Sequence, residues 1–391
     1  MTALWTYPWT VFSDGLDATF EGLGDRGVDT LNVAAQYHSA QAFQPRTPES
    51  LFESYPAGCY FEPDPERFAE TPISPMQNDL PETDDPLAAI VDAAADHGVD
   101  VVGWLVLFHN SRLGANNPGY QLEDAFGQSH EHALCPSNPE VQTYCAALVE
   151  ALASRGVSEI HLESYGFQNV LHSHDTGFGH AMRHVLTEET EHALLSQCFC
   201  DGCRARAEEH AVDLAAARDV CQSILEGSLD QLHSSPPPLS TLVEERPVLA
   251  DLFDFRASVV TDLVAALAEA TPETPLNGYV PNVDGSGFRG GWAGGVRLNR
   301  LEPHLDRVTA YCYVDDPVEA RERVRTIARR TNLTIDAGVT LHPDVIERRE
   351  QLVDIVGAID RSIDGRVNVY NHALATETQL DWIEAAVRNA G

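Results

Sequence analysis

Runs of apolar residues that alternate with amphipathic segments occur eight times along the chain. Each run is rich in valine, leucine, isoleucine and aromatic residues, which is typical of a strand buried on both faces. The runs predict eight strands, at 4–13, 28–38, 99–109, 157–165, 274–282, 306–314, 333–342 and 365–373.

The segments between these runs repeat apolar residues every three or four positions, as helices packed on a sheet do. They predict helices at 84–98, 138–156, 255–270, 316–330 and 342–360, and several of these end in glycine just before the next strand. Eight such units predict an α/β fold, a (β/α)8 TIM barrel, in one domain over residues 1–391. The first βα turn lacks a GxGxxG motif, which disfavours an open dinucleotide-binding sheet.

The extra length of the chain falls in three connections. Long insertions follow predicted strands 2, 3 and 4, at 39–83, 110–134 and 166–248. These connections belong to the C-terminal face, where barrels of this class carry their active sites. The pattern therefore predicts a ligand site on that face.

The largest insertion, 166–248, contains Cys198, Cys200 and Cys203 in a C-x-C-x2-C motif. Three thiolates at this spacing can share one tetrahedral ion, and a structural zinc needs a fourth ligand. The candidates for that ligand are Cys135, Cys145, Cys221 and Cys312. Cys135 is favoured, because it opens the helix after strand 3, beside the strand 4 connection. We call Cys135, Cys198, Cys200 and Cys203 the cysteine cluster.

The sequence around the cysteine cluster resembles the zinc-containing β-galactosidases of glycoside hydrolase family 42 and their relatives. The resemblance runs from 133 to 203 and rests on "ALCPSNPEVQTYCAALVEAL", "IHLESYGF" and "CFCDGC". It implies a structural zinc on the cysteine cluster, Glu163 as general acid/base, and a possible homo-oligomer. Two features differ from the family. Leu162 stands where the family has asparagine, and the segment from Glu163 to Cys198 is long.

Polar and aromatic side chains follow the predicted strands, where their C-terminal ends would converge on one pocket. Such a rim suits a polyhydroxylated ligand. The substrate-binding candidates are His38, His109, Asn110, Tyr165, Asn282, Tyr313, His342, Tyr370, Asn371 and His372. Tyr37 belongs to the same rim at the end of strand 2, and Trp5, Trp9 and Trp292 could add stacking surface. Glycoside cleavage needs two carboxyl groups. Glu163 is the first, and the second is predicted to be Asp315, then Asp344 or Asp14.

Two other functions stay open. A metal-dependent sugar isomerase or epimerase would bind a divalent ion through His109, Glu163 and the histidines of the loop after strand 4. Those histidines are His172, His174, His180 and His184. The second alternative is a barrel that binds sugar without turnover. It is supported by predicted strand 7, which ends in His342 where the family has a glutamate.

Composition narrows these classes further. The 25 basic residues are all arginine, and with 60 acidic residues they leave a formal net charge of −35. This balance is typical of proteins adapted to concentrated salt, and it disfavours nucleic acid as a partner. The lack of lysine excludes Schiff-base, pyridoxal-phosphate and P-loop chemistry. Because neither a signal peptide nor a membrane span is apparent, we expect a cytoplasmic, halophilic enzyme with a small carbohydrate substrate. In a reducing compartment its eight cysteines would be thiols or metal ligands.

Overall fold

The computed structural model describes residues 2–171, 185–230, 235–280 and 290–390. Within these ranges, eight parallel strands form a closed barrel in chain order. Their bounds are β1 Thr2–Thr6, β2 Thr30–Tyr37, β3 Asp100–Val106, β4 Glu159–Glu163, β5 Leu276–Val280, β6 Arg307–Tyr311, β7 Thr334–Thr340 and β8 Val367–Tyr370. Since β1 pairs in parallel with both β2 and β8, the sheet has no open edge at this seam. The predicted (β/α)8 barrel is confirmed.

Helices connect the strands and cover the outside of the barrel. They are α1 Pro8–Asp14, α2 Leu16–Asp25, α3 Pro86–His97, α4 Ser111–Asn116, α5 Pro139–Ala153, α6 Glu189–Leu195, α7 Asp201–Glu209, α8 Leu214–Asp230, α9 Leu239–Glu245, α10 Pro247–Ala270, α11 Leu298–Leu301, α12 Pro317–Ala328, α13 Arg349–Asp360 and α14 Glu377–Ala390. Five helices begin at a proline, whose fixed φ suits the first helical turn. Gly98, just after α3, has a φ of 66°, as the sequence predicts for a helix end before a strand. None of the helices in the described ranges is long and apolar enough to cross a membrane.

The first predicted strand, 4–13, is too long. β1 ends at Thr6, and α1 begins at Pro8. Proline has no backbone N–H to lose at the first helical position, so the apolar run that follows Pro8 forms a helix. Asp14 consequently lies at the end of α1 and not at the end of a strand.

The three long connections contain additional elements. After β2, the strands Ala40–Phe43 and Phe52–Tyr55 pair as an antiparallel hairpin, and Gly58–Cys59 adds to the side of β2. The connection after β3 holds α4 and a second antiparallel pair, Gln121–Glu123 with Ser129–Leu134. Helices α6 to α9 follow β4.

Charged side chains fill the barrel interior at the N-terminal ends of the strands. Asp336 on β7 is fully buried and accepts hydrogen bonds from Arg307 Nη2 at 2.5 Å and Asn277 Nδ2 at 2.8 Å. Arg366 Nη2 lies 2.5 Å from Glu159 Oε2 and 3.4 Å from Asp336 Oδ2. Two arginines thus balance two carboxylates, which is the condition for keeping such charges out of water. We call these five residues the basal ion network.

Replacing Asp336 by alanine should destabilise the fold strongly, because Arg307 and Arg366 would lose a buried anion. We expect the free energy of unfolding to fall by about 3–5 kcal/mol, measured by urea denaturation. The matched control is Asp344→Ala, which removes a carboxylate whose side chain is 88% exposed, and it should change stability by less than about 0.5 kcal/mol. Equal losses in the two variants would contradict this role for the network.

Candidate active site

A cavity of about 590 Å³ lies at the C-terminal ends of the barrel strands. Its lining residues are Trp5, Tyr37, Trp104, Glu163, Tyr279, Tyr311, Tyr313, Arg323 and Tyr370. Seven of these nine residues are tryptophan or tyrosine, so the walls combine flat apolar faces with hydroxyl and indole N–H groups. Such a surface suits a ring that carries hydroxyl groups. We call this space the aromatic cavity.

Glu163, the last residue of β4, is the one carboxylate among the described residues that line the aromatic cavity. Val106 lies opposite Glu163 in the β3–β4 pairing, and Trp104 is two residues earlier on β3, on the same face of the sheet. The indole Nε1–H of Trp104 donates to Glu163 Oε2 at 2.7 Å, and the Tyr311 hydroxyl also hydrogen-bonds to this carboxyl. Two side chains, Trp104 on β3 and Tyr311 on β6, therefore orient Glu163.

The surroundings of Glu163 change its acidity. Burial raises the pKa of the Glu163 carboxyl to about 7, and the hydrogen bonds from Trp104 and Tyr311 oppose this rise only in part. A carboxyl with a pKa near neutrality can both donate and accept a proton under ordinary conditions. The site therefore provides a general acid or base at the end of β4.

Hydrogen bonds also fix the floor of the aromatic cavity. Trp5 Nε1–H donates to Tyr279 Oη at 2.5 Å, and His161 Nδ1 lies 2.9 Å from the same oxygen. On its other side, His161 Nε2 lies 2.8 Å from Glu159 Oε1, within the basal ion network. A continuous hydrogen-bonded path consequently holds Tyr279 in place from below.

The tyrosines on the opposite wall meet through their hydroxyl groups. Tyr7 Oη lies 2.7 Å from Tyr370 Oη and 3.3 Å from Tyr37 Oη. Burial raises the pKa of each of these phenols above its ordinary value, so all three stay protonated and can share hydrogen bonds with a ligand hydroxyl. Of the predicted substrate-binding residues, Tyr313 and Tyr370 line the aromatic cavity together with Glu163.

Three predicted substrate-binding residues hydrogen-bond within the protein. Asn110 Oδ1 accepts the Leu113 N–H at 2.9 Å and caps α4, and Asn371 Oδ1 accepts the Ala373 N–H at 2.7 Å. His372 is buried, with Nδ1 at 3.1 Å from Thr6 Oγ1. Burial and the nearby Arg46 charge lower the pKa of His372 to about 3, so this imidazole is neutral. The two asparagines thus complete a helix cap and a turn, and His372 contacts the end of β1.

The predicted second carboxylates are not among the residues that line the aromatic cavity. Asp315 is exposed, and the side chains of Asp344 and His342 are 88% and 61% exposed on the surface. Asp14, at the end of α1, pairs with Arg46 at 2.6 Å. None of these four residues lines the aromatic cavity as the described residues define it.

The remaining predicted residues flank the aromatic cavity or fall outside the described ranges. The His38 ring packs against Tyr37 at 4.0 Å and against His109 at 4.8 Å between ring centroids. Tyr165 lines a neighbouring cavity of about 770 Å³, which shares Glu163, Tyr279, Tyr311 and Arg323 with the aromatic cavity. Asn282 and the histidines of 172–184 lie outside the described residues.

Four residues of the aromatic cavity did not emerge from the sequence. Trp104, Tyr279 and Tyr311 lie within predicted strands, where an aromatic side chain is usually part of the apolar core, and Arg323 lies on α12. One feature of the sequence could have indicated Tyr311. It stands two positions before Tyr313, which was predicted, and alternate residues of the predicted strand 306–314 share one face.

The cysteine cluster is assembled as predicted, with Cys135 as its fourth member. Its four residues are buried, and their sulfur atoms all lie within 4.8 Å of one another. Position 202, in the first turn of α7, requires glycine. A Cβ atom there would lie only 2.3 Å from Oδ1 of Asn138, the residue just before α5. This close approach brings Cys200 and Cys203 against the segment just before α5, which carries Cys135.

Hydrogen-bond donors surround the sulfur atoms of the cysteine cluster. The Glu123 N–H donates to Cys198 Sγ at 3.4 Å, and Asn138 Nδ2 donates to Cys200 Sγ at 3.9 Å. The Ser137 hydroxyl, at 3.2 Å, accepts from the Cys203 thiol and would donate to a Cys203 thiolate. Donors directed at sulfur favour thiolates over thiols, and metal-bound thiolates usually have such neighbours. The donor set and its surroundings therefore fit a metal ion.

A second group of possible ligands, Glu159, His161 and Asp336, also lies close together. Its carboxylates are already occupied, since they bind Arg366 and Arg307 within the basal ion network. This group is explained by ion pairing alone.

Fold and site together define a closed barrel with one partly buried carboxylic acid in the aromatic cavity, at the end of its fourth strand. No protein-family model matches the chain, and no curated protein matches it. Among solved structures, the β-galactosidase of Rahnella sp. R3 matches 100% of this chain and 56% of its own at 12% identity, with a TM-score of 0.55. The polyextremophilic β-galactosidase of the Antarctic haloarchaeon Halorubrum lacusprofundi matches 100% of this chain and 57% of its own at 14% identity, with a TM-score of 0.54. The α-L-fucosidase isoenzyme 2 of Paenibacillus thiaminolyticus matches 96% of this chain and 46% of its own at 13% identity, with a TM-score of 0.53.

These three structures share the fold of this chain, and all three are glycoside hydrolases. The chain spans about half the length of each of them. The predicted resemblance to barrel glycoside hydrolases is confirmed at the level of the fold, without singling out family 42.

The raised pKa of Glu163 predicts how stability depends on pH. Because the folded protein holds this proton up to about pH 7 and an unfolded glutamate only to about pH 4.3, ionisation of Glu163 lowers stability as the pH rises between these values. Glutamine imitates the protonated acid. Glu163→Gln should therefore match the wild type at pH 4 and exceed its free energy of unfolding by on the order of 2–3 kcal/mol at pH 8.

Urea denaturation of both proteins at the two pH values measures this difference. The control is Glu62→Gln, which changes an exposed glutamate and should show no pH-dependent gain. A constant difference between Glu163→Gln and the wild type at both pH values would contradict the raised pKa.

Proposed function

We propose that this protein is a glycoside hydrolase that cleaves an O-glycosidic bond of a small carbohydrate, with Glu163 as general acid/base. One observation carries the proposal. A single carboxyl group with a pKa of about 7 lies in a cavity lined by seven tryptophan and tyrosine side chains. The shared fold with β-galactosidases and an α-L-fucosidase supports it.

In the proposed reaction, protonated Glu163 donates its proton to the glycosidic oxygen as the bond to the anomeric carbon breaks. Trp104 and Tyr311 then stabilise the Glu163 carboxylate by hydrogen bonds. The Glu163 carboxylate next takes a proton from an incoming water as the water oxygen bonds to the anomeric carbon. This step leaves the sugar with a new hydroxyl group and returns Glu163 to its protonated state. Tyr313 and Tyr370 are proposed to contact the sugar ring. Asp315 and Asp344 remain the predicted candidates for the second carboxylate.

We propose that the cysteine cluster binds a structural zinc ion. Four thiolates complete a tetrahedral shell and leave no position for water or substrate, so the ion would take no part in catalysis. It would join the segment around the start of α7 to the segment just before α5. Both segments belong to the connections on the C-terminal face, and the first follows β4 and Glu163. The strongly acidic composition supports a salt-rich cytoplasm as the place where the enzyme works.

Glu163→Gln tests the catalytic role. Glutamine cannot protonate a leaving group, so we expect kcat to fall by about 10²- to 10⁴-fold on aryl glycosides with poorly acidic leaving groups. The loss should shrink for dinitrophenyl glycosides, whose leaving group needs no proton. The measurement is a panel of chromogenic glycosides in concentrated salt, with Glu62→Gln as the control variant.

A loss that does not depend on the leaving group would refute the assignment of Glu163 as the acid. Saturable sugar binding by the wild type, without turnover of any glycoside in the panel, would instead establish a sugar-binding barrel.

Cys198→Ser tests the metal site. Removal of one thiolate should release the zinc and lower the melting temperature, whereas the wild type should contain about one zinc per chain by elemental analysis. Cys221→Ser is the matched control, since Cys221 is also a buried cysteine but lies outside the cysteine cluster. The proposal fails if both variants keep the same zinc content as the wild type.

A further inference from the structure

Arg256 is a fully buried cation in the middle of α10. Its Nη1 lies 3.1 Å from Cys203 Sγ, and its Nη2 donates to the Cys198 carbonyl oxygen. The guanidinium therefore contacts the cysteine cluster through both a side chain and the backbone.

Within the described ranges, no carboxylate forms an ion pair with Arg256. Its other neighbours are aromatic rings, with the guanidinium carbon 4.5 Å from the centroid of Phe167 and 5.0 Å from that of Phe255. Cation–π contacts compensate only a small part of the cost of removing a charge from water. An arginine cannot lose its proton in a protein, so a buried guanidinium needs a nearby anion.

We propose that Arg256 is the counter-ion of a negatively charged metal–tetrathiolate centre, an inference that rests on the proposed structural zinc. Four thiolates and one divalent ion carry a net charge of −2, and the adjacent guanidinium reduces the charge of the buried assembly to −1. The N–H···S contact to Cys203 joins this positive charge directly to one ligand of the metal. Arg256 thus favours the metal-bound thiolates over four neutral thiols.

The same side chain connects the metal centre to the active-site segment. Phe167, whose ring packs on Arg256, follows Glu163 by four residues and lines the cavity next to the aromatic cavity. The Phe167 N–H donates to the Gly294 carbonyl oxygen at 2.8 Å. Arg256 is accordingly a positioning residue: it acts through the metal centre and Phe167, and it does not touch the aromatic cavity.

Arg256→Met tests this role, because methionine keeps much of the apolar volume and removes the charge. With zinc-loaded protein and a chromogenic chelator, we expect zinc affinity to fall by about 10- to 100-fold and release to be correspondingly faster. Arg256→Lys keeps the charge and should give an intermediate loss. Arg297→Met is the matched control, since Arg297 also packs on an aromatic ring, at 3.6 Å from Trp292, without contacting a cysteine.

A second readout separates charge from packing. The melting temperature of each protein is measured with zinc and after zinc removal under reducing conditions. Loss of a counter-ion should reduce the rise in melting temperature that zinc produces, whereas loss of packing alone would lower both temperatures equally and leave that rise unchanged. If Arg256→Met does not fold, the same two measurements on Arg256→Lys decide the question.

An unchanged zinc-induced rise, together with zinc release within twofold of the wild type, would overturn the proposal. If Cys198→Ser loses zinc and Arg256→Met does not, the role of Arg256 fails and the structural zinc stands. A wild-type protein that binds no zinc at the cysteine cluster would overturn both.

Discussion

The pairing of β1 with both β2 and β8 is the constraint on which the rest of the structure depends. β1 is only five residues long, yet its backbone completes the hydrogen-bonded ring on both sides. Closure brings the ends of eight strands around one axis, so that residues more than 300 positions apart in the chain, such as Tyr7 and Tyr370, share a hydrogen bond. An open sheet of the same strands would spread these side chains along an edge and would form no aromatic cavity.

The closed fold has to accommodate ionisable groups away from water in three places, and a different interaction does so in each. At the base, Arg307 and Arg366 neutralise Asp336 and Glu159 directly. At the top, no cation of the described residues forms an ion pair with Glu163, and burial raises the pKa of this carboxyl so that it holds its proton to a higher pH. The proposed zinc and Arg256 would balance the four thiolates beside it. Among the described residues that line the aromatic cavity, Glu163 is the carboxyl group without such compensation, and the proposed acid chemistry depends on it.

Much of the fold and part of the site could be predicted from residue patterns. The eight strands and the barrel followed from hydrophobic runs. The C-x-C-x2-C spacing predicted three members of the cysteine cluster, and the order of the barrel connections favoured Cys135 as the fourth. Glu163 followed from a motif at the end of a strand. The polar residues at other strand ends were harder to predict, because asparagine and histidine there can hydrogen-bond within the protein as readily as to a ligand. Asn110 caps α4, and His372 contacts Thr6 at the end of β1.

The sequence by itself determined the order of strands and helices, the cysteine cluster and the glutamate that ends β4, because each of these is recorded in local period or spacing. Only the tertiary structure decided which aromatic side chains turn inward, that Trp104 and Tyr311 hold Glu163, and that Arg256 lies against Cys203. These contacts depend on strand register and on the packing of α10 beside the cluster. No local pattern encodes them, since they join residues far apart in the chain through geometry that exists only after the barrel has closed.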